Sequence, residues 1–116
     1  MIRVGIHADT VEQLSDELKL PVSQLLSLLN ICRRTVNRRK ADGKKLPPEI
    51  SEKILRTKRV YLKTLDVMKE EDCARDWLNS KNFSLGDETP LSLLDTSVGG
   101  NMVLNLLGAI EESIPL

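Results

Sequence analysis

Leu20-Pro21-Val22-Ser23-Gln24-Leu25-Leu26-Ser27-Leu28-Leu29-Asn30-Ile31-Cys32-Arg33-Arg34-Thr35-Val36-Asn37-Arg38-Arg39-Lys40 is the stretch that decides how this chain folds. Pro21 suits the first turn of a helix, and Val22, Leu25, Leu26, Leu28 and Leu29 make that helix compact and very apolar. Asn30-Ile31-Cys32 has the length of a tight turn. Beyond it, five of the eight residues from 33 to 40 are Arg or Lys, and Asp42-Gly43 stops the segment as a breaker pair. An apolar helix, a tight turn and an arginine-studded helix form the sequence pattern of helix-turn-helix DNA readers, whose second helix lies in the major groove. There Arg33, Arg34, Asn37 and Arg38 can reach base edges or phosphates, since arginine offers paired donors to guanine and asparagine pairs similarly with adenine. Thr35, Arg39 and Lys40 complete the candidate DNA-contacting set, and Lys40, Lys44 and Lys45 add sequence-independent attraction to the phosphates. Val36 is expected to face inward onto Leu25 and Leu29. The bland reading of the same arginines is a solvated helix face.

Working outward, Val11, Leu14 and Leu18 recur at i, i+3 and i+7, which predicts a first short helix with Asp9 or Thr10 as its N-cap. Before it, Ile2, Val4 and Ile6 alternate as a strand would, an arm that either pairs with another chain or is disordered. On the other side, Leu46-Pro47-Pro48-Glu49 starts a helix, with proline in the first turn and an acid near the positive end of the dipole. Ile50, Ile54, Tyr61, Leu65 and Met68 follow one face of it, which predicts a long helix of about 20 residues. Lys53, Arg56, Arg59 and Lys63 on the opposite face read as solvated. Ala74, Trp77 and Leu78 fit two helical turns from Asp72 to Leu78, Trp77 being read as a core anchor, and a loop with Asn79, Ser80, Asn82 and Gly86 follows. Thr89-Pro90 opens a short helix through Leu91, Leu93 and Leu94. Gly99-Gly100 punctuates the chain before a last helix carrying Met102, Val103, Leu106, Leu107 and Ile110. Gly108 inside that helix is expected to let another backbone approach closely, Pro115 stops the helix, and residues 113–116 are expected as a short exposed tail. The fold class is therefore all-α: a helix-turn-helix module with its long connecting helix over residues 1–68, and a small helical module over residues 69–116.

The neutral total charge hides a division. Residues 1 to 60 contain 13 Lys and Arg against 7 Asp and Glu, whereas residues 61 to 116 contain 4 against 10. A positive half suits a phosphate backbone, and a negative half suits a basic protein surface or an enzyme pocket built for anions; segregated solvated faces are the plain alternative. No apolar run reaches the roughly 18 residues that span a bilayer, and the first residues lack the apolar core of a signal peptide, so a cytosolic protein without membrane contact is expected. Cys32 and Cys73 stand far apart, without CxxC spacing or a histidine cluster, and are read as reduced packing residues rather than as a disulfide or zinc site. His7 is the one histidine, in the N-terminal arm, and reads as a surface polar residue. Glu70-Glu71-Asp72 points in different directions around a helix, and Gly99-Gly100 lacks the rest of a phosphate-cradling loop. No enzyme, cofactor or metal site is expected. With Trp77, Tyr61 and Phe83 as its only rings, the chain is also a poor candidate for stacking single-stranded bases.

The back half, with Ala74, Trp77 and Leu78, then Leu85-Gly86 and Pro90, Leu93 and Leu94, then Gly99, Val103, Leu107, Ile110 and Glu111, resembles the Xre–MbcA–ParS antitoxin family. That family runs roughly A-x-x-W-L, L-G-G-x-x-P-x-x-L-L and G-x-x-x-V-x-x-x-L-x-x-I-E-x-G. Arg34-Thr35 opening the basic helix and Leu46-Pro47 before the long helix fit as well, so the resemblance covers nearly the whole chain. The chain departs from the pattern at Asp87, where the second glycine of L-G-G is expected, and at Ser113, where the terminal glycine is expected. The resemblance implies an antitoxin whose partner is a RES-domain toxin that destroys NAD, and which represses its own operon by binding operator double-stranded DNA. Joined to the acidic charge of the back half, this implication leads to the expectation of toxin contacts at Leu107, Ile110, Glu111, Glu112, Ser113, Ile114, Pro115 and Leu116, with the acidic end entering a pocket that is electropositive because it holds a pyrophosphate-bearing dinucleotide. A homodimer is expected because major-groove readers commonly engage two half-sites. A stand-alone helix-turn-helix transcriptional regulator is the alternative, although so small a back half leaves little room for an enclosed ligand pocket.

Overall fold

The structure, a computed structural model, describes residues 5–113. Among them lie six α-helices: α1 Asp9–Leu18, α2 Val22–Leu28, α3 Arg33–Ala41, α4 Pro48–Met68, α5 Glu71–Asn79 and α6 Ser97–Ser113. Short 3-10 turns at Phe83–Leu85 and Pro90–Leu93 precede α6. The chain forms two compact units, Met1–Leu55 and Arg56–Leu116, and the division falls within α4. The all-helical expectation holds, and no described helix is long and apolar enough to cross a membrane.

In the first unit, α1, α2 and α3 all end in the same way. Lys19 (φ +54°), Asn30 (φ +54°) and Gly43 (φ +66°) are left-handed, and each is followed by a residue whose N–H reaches back over the helix end. Leu20 N–H donates to the Ser15 carbonyl, Ile31 N–H to Leu26 and Lys44 N–H to Arg39, at 3.1, 2.9 and 2.9 Å. This is the Schellman arrangement, which satisfies carbonyls that a helix end leaves orphaned. Asn30 and Gly43 are residue types that tolerate left-handed backbone, and the turn and the stop lie where the sequence puts them. Lys19 is not such a type, and Pro21 proves to lie just before α2, at its N-cap, rather than inside its first turn. The N-cap of α1 is Ala8, with no side-chain cap, instead of Asp9 or Thr10.

The core of this unit is Val11, Leu14 and Leu18 from α1, Leu25, Leu26, Leu29 and Ile31 from α2 and its turn, Val36, Leu46 and Ile54. Ile2 and Val4 of the N-terminal arm lie outside the described residues. Ile6, however, is held within its own chain rather than offered to another. Its N–H donates to Ser51 Oγ at 3.1 Å, its carbonyl accepts from Leu46 N–H at 2.8 Å, and Ser51 Oγ–H donates to the Leu46 carbonyl at 3.2 Å. Ser51 is fully buried, as are Thr57 and Thr64 further along α4. The inward stripe of α4 is accordingly Ser51, Ile54, Thr57, Val60, Tyr61, Thr64 and Val67, whereas Ile50, Leu65 and Met68 are only half-buried. Small hydroxyl residues can line a buried stripe because they bond locally, as Thr64 Oγ1 does to the Val60 carbonyl at 2.7 Å.

The opposite face of α4 is not merely solvated. Lys53 donates to the Asn30 carbonyl at 3.1 Å in the first unit. In the second, Arg56 Nη1 donates to the Leu94 carbonyl at 3.0 Å and Lys63 pairs with Glu111 at 2.9 Å. A Cβ added to Gly100 would come within 2.6 Å of Arg56 Cδ. The contacts fall in the same order along both helices, so α6 runs beside this part of α4 in the same direction. The second unit buries Val60, Tyr61, Val67, Ala74, Leu78, Leu85, Leu91, Leu94, Val103 and Leu107. Trp77 is half-buried beside this core. Both cysteines, read as packing residues, are instead exposed.

The helix carrying Met102 to Ile110 begins earlier than its glycines suggest. Thr96 is its cap, with Oγ1 accepting from Gly99 N–H at 3.0 Å, so Gly99 and Gly100 lie inside the first turn. A Cβ on Gly99 would stand 1.9 Å from the Leu93 carbonyl oxygen, whereas one on Gly108 would meet nothing within 4 Å. The close backbone approach expected at Gly108 therefore occurs at Gly99. Two substitutions separate these cases in a denaturant melt. Gly99→Ala should destabilise by about 2–3 kcal/mol through overpacking against backbone, and Gly108→Ala should stabilise by about 0.5–1 kcal/mol, the helix-propensity gain of a site with room.

Candidate functional site

Two surfaces stand out, one in each unit. On α3, Arg33, Arg34, Asn37 and Arg38 are all exposed, and the spacing i, i+1, i+4, i+5 puts them on one face. Val36 is buried on the other side, as are Leu25 and Leu29. The residue at the end of α2 and the turn after it fix the angle at which this face is presented. Ile31 is buried, its N–H is tied to Leu26, and the Asn30 carbonyl is held by Lys53. The remaining members of the candidate set are placed differently. Thr35 is half-buried, and so is Arg39, whose Nη1 donates to the Lys45 carbonyl at 3.3 Å and so fastens the segment after Gly43. Lys40 pairs with Glu12 of α1. A half-exposed pair of this kind is worth at most about 1 kcal/mol, so Lys40 remains able to exchange its carboxylate for a phosphate at some cost.

Cys32 is the N-cap residue of α3, next to the arginine face. The Thr35 hydroxyl, and then the Thr35 amide at the start of the helix, hold its thiol below the ordinary cysteine range. Cys73 goes the other way, because the Glu70 carboxylate 3.5 Å away accepts from the thiol and raises it. The sequence shows the types but not this contrast, which depends on which residues begin each helix.

The second surface is the outer side and end of α6. Leu107 is fully buried and belongs to the core rather than to any free surface, since α6 turns it inward with Val103. Ile110 is half-buried, and Glu111, Glu112 and Ser113 are exposed. Ile114, Pro115 and Leu116 lie outside the described residues. Glu111 is engaged by Lys63, whose ammonium is held above its ordinary range by that hydrogen bond. This leaves Glu112 as the acid of the last turn without that tie to α4. The loop before α6 is closely bonded. The Asn82 N–H donates to the Glu88 carbonyl, Leu85 and Asp87 N–H groups donate to the Asn82 carbonyl, and Asn82 Oδ1 accepts from Ser84 N–H, all within 2.9–3.0 Å. Gly86 and Asp87 are both left-handed, at φ +69° and +64°. Asp87 thus keeps the backbone that a second glycine would take more easily, at the expense of some steric strain.

The sequence comparisons agree for both halves. Residues 1–56 match the antitoxin Xre-like helix-turn-helix domain, and residues 65–112 match the antitoxin Xre/MbcA/ParS C-terminal toxin-binding domain. The chain is 28% identical to Antitoxin Xre of Yersinia enterocolitica, over 97% of its length and 77% of the relative's. It is 29% identical to Antitoxin Xre of Photorhabdus laumondii, over 98% and 78%. It is 25% identical to a "Prs ADP-ribosylating antitoxin" of a Sphingobium strain, over 96% and 76%.

The geometry of α3 gives its basic residues unequal weights, which titration of double-stranded DNA at two salt concentrations should resolve. Arg34→Ala and Arg38→Ala should each weaken binding by about tenfold or more. Lys40→Ala should change affinity by less than that, because phosphate would have to displace Glu12. Arg39→Ala should act chiefly by lowering the melting temperature. Equal losses at all four positions would show that the ties of Arg39 and Lys40 do not persist on DNA.

Proposed function

The chain belongs to the Xre/MbcA/ParS family of antitoxins, and from that premise we propose that it is the antitoxin of a type II pair, neutralising an NAD-consuming toxin of the RES-domain class. It does so by placing the acidic end of α6 in the toxin's active site, and it represses its own operon through α3. The observation that carries this reading is the character of the last turn: Glu112 and Ser113 project from the end of a helix anchored by Lys63–Glu111, in a module matched as toxin-binding. A pocket for a pyrophosphate-bearing dinucleotide has to be electropositive, and an anchored anionic projection is complementary to it. The name of the Sphingobium relative couples an antitoxin with ADP-ribosylation, a chemistry whose ADP-ribose donor is NAD, which supports an NAD-consuming partner.

Within this reading the protein is not itself an enzyme and needs no cofactor. It acts in the cytosol, and a homodimer sets two copies of the Arg33, Arg34, Asn37 and Arg38 face on successive major grooves of operator DNA, about one helical turn apart. Toxin contact falls to Ile110, Glu111, Glu112 and Ser113 with the three residues beyond them, and Leu107 supports that end from the core.

The test is growth and cellular NAD in bacteria expressing the adjacent toxin gene alone, with the full chain, and with the chain lacking residues 111–116. NAD should collapse with the toxin alone, recover with the full chain, and collapse again with the shortened one. A toxin that kills with NAD intact would remove the RES-type assignment. Full protection by the shortened chain would remove the occlusion model.

A further inference from the structure

Among the described residues, the most exposed large apolar side chain has no role in a neutralisation that depends on the tail alone. Phe83 is 89% exposed, and Val98 and Met102 on α6 are 70% and 44% exposed. All three lie inside the stretch matched as toxin-binding, and the Phe83 turn packs against α6. Soluble proteins do expose single apolar residues, so exposure alone decides little. What distinguishes Phe83 is its presentation. The bonds that Asn82 makes to Ser84, Leu85, Asp87 and Glu88 fix the loop around it, so docking the ring onto a partner would order almost no backbone. Val98, Met102 and Ala109 continue along one exposed face of α6 at helical spacing, and that helix leads directly into the acidic end.

Charge identifies the occupant. From Asn82 to Leu116 the sequence contains five acidic residues and no Lys or Arg. Two copies of such a surface facing each other would bring like charges together around their apolar centres, which opposes self-association. A partner with a basic rim meets the same surface favourably, and the partner with a cationic pocket is the toxin of the reading above, on which this inference rests. We propose that the antitoxin grips its toxin through Phe83 and the Val98–Met102 face of α6. Affinity then comes from this apolar anchor and inhibition from the acidic end, as two separable parts of one interface. An exposed aromatic on a rigid support is the type of residue that dominates interface energetics, and truncating one commonly costs tenfold or more in affinity.

The experiment measures toxin affinity, toxin NAD consumption and antitoxin mass in solution, with the purified product of the adjacent toxin gene as probe. The proteins are the full chain, Phe83→Ser, the pair Val98→Ser with Met102→Ser, and the chain lacking residues 111–116. Phe83→Ser removes almost only exposed surface, so its melting temperature and operator affinity should stay at the full chain's values, whereas the α6 pair, which also removes the covered part of Met102, should lower the melting temperature somewhat and leave operator affinity unchanged. Both serine variants should bind toxin at least tenfold more weakly. The shortened chain should still bind within about tenfold of the full chain while leaving the toxin active. Serine variants that bind as tightly as the full chain overturn the proposal, and so does a shortened chain that no longer binds. If the serine variants change the mass in solution but not toxin affinity, the surface joins copies of the antitoxin instead, and the proposal is wrong. Failure of the full chain itself to bind the toxin would show that the underlying antitoxin reading has failed, and the anchor with it.

Discussion

The turn at Asn30 governs what the first unit can do. Its left-handed backbone lets Ile31 fold back over the end of α2, burying that side chain and satisfying a carbonyl that would otherwise be orphaned. Asparagine pays only a small steric penalty for this conformation, and Lys53 of α4 holds the Asn30 carbonyl from the other side. The chain leaves the turn at a fixed angle, Val36 faces inward, and Arg33, Arg34, Asn37 and Arg38 are left outward on one stripe. A more flexible connection would leave the same arginines on a helix with no defined approach to a groove. The ordering of four cationic or amide side chains therefore depends on one backbone conformation and three contacts around it.

A comparable constraint shapes the second unit. Gly99 lies where a Cβ would overlap the Leu93 carbonyl, and Gly100 lies against the stem of Arg56. These close approaches seat the start of α6 on the 3-10 turn before it and on α4. The Lys63–Glu111 pair then fixes the other end of the helix. Anchored at both ends, α6 buries Val103 and Leu107, exposes Val98 and Met102, and directs its last turn outward. The two units thus answer to different partners by similar means, a helix whose direction is set at its ends and whose outer face is left free.

Much of this was legible from residue types. Asn30, Gly43 and the Thr89-Pro90 pair are local signals whose physics does not depend on distant contacts, and the elements they bound appear where expected. The apolar spacing of α1 and α4 also gave their existence and length. What escaped is non-local. Lys19 and Lys69 take left-handed backbone that their type disfavours, because the helix-end hydrogen bonds and buried neighbours outweigh the steric cost. The inward stripe of α4 runs through Ser51, Thr57 and Thr64, which a hydropathy pattern cannot distinguish from solvated positions. The α4 lysines and Arg56 look like surface charge until the carbonyls and the carboxylate they meet are in place. On the sites, the arginine stripe could be read directly, but the withdrawal of Arg39 and Lys40 could not. Phe83 reads as one more apolar residue in a loop, and only the bonding of that loop shows that its ring is held outward.

The central claim is that each half of the chain meets its own partner, DNA in front and toxin behind. Amide hydrogen exchange on the full chain, with operator DNA and with toxin added separately, tests it most directly. Operator DNA should slow exchange within residues 33–41 and leave residues 97–113 as in the free protein. Toxin should slow exchange at residues 82–88 and 97–113 and leave α3 unchanged. Protection of the same half by both partners, or of α3 by toxin alone, would contradict the account.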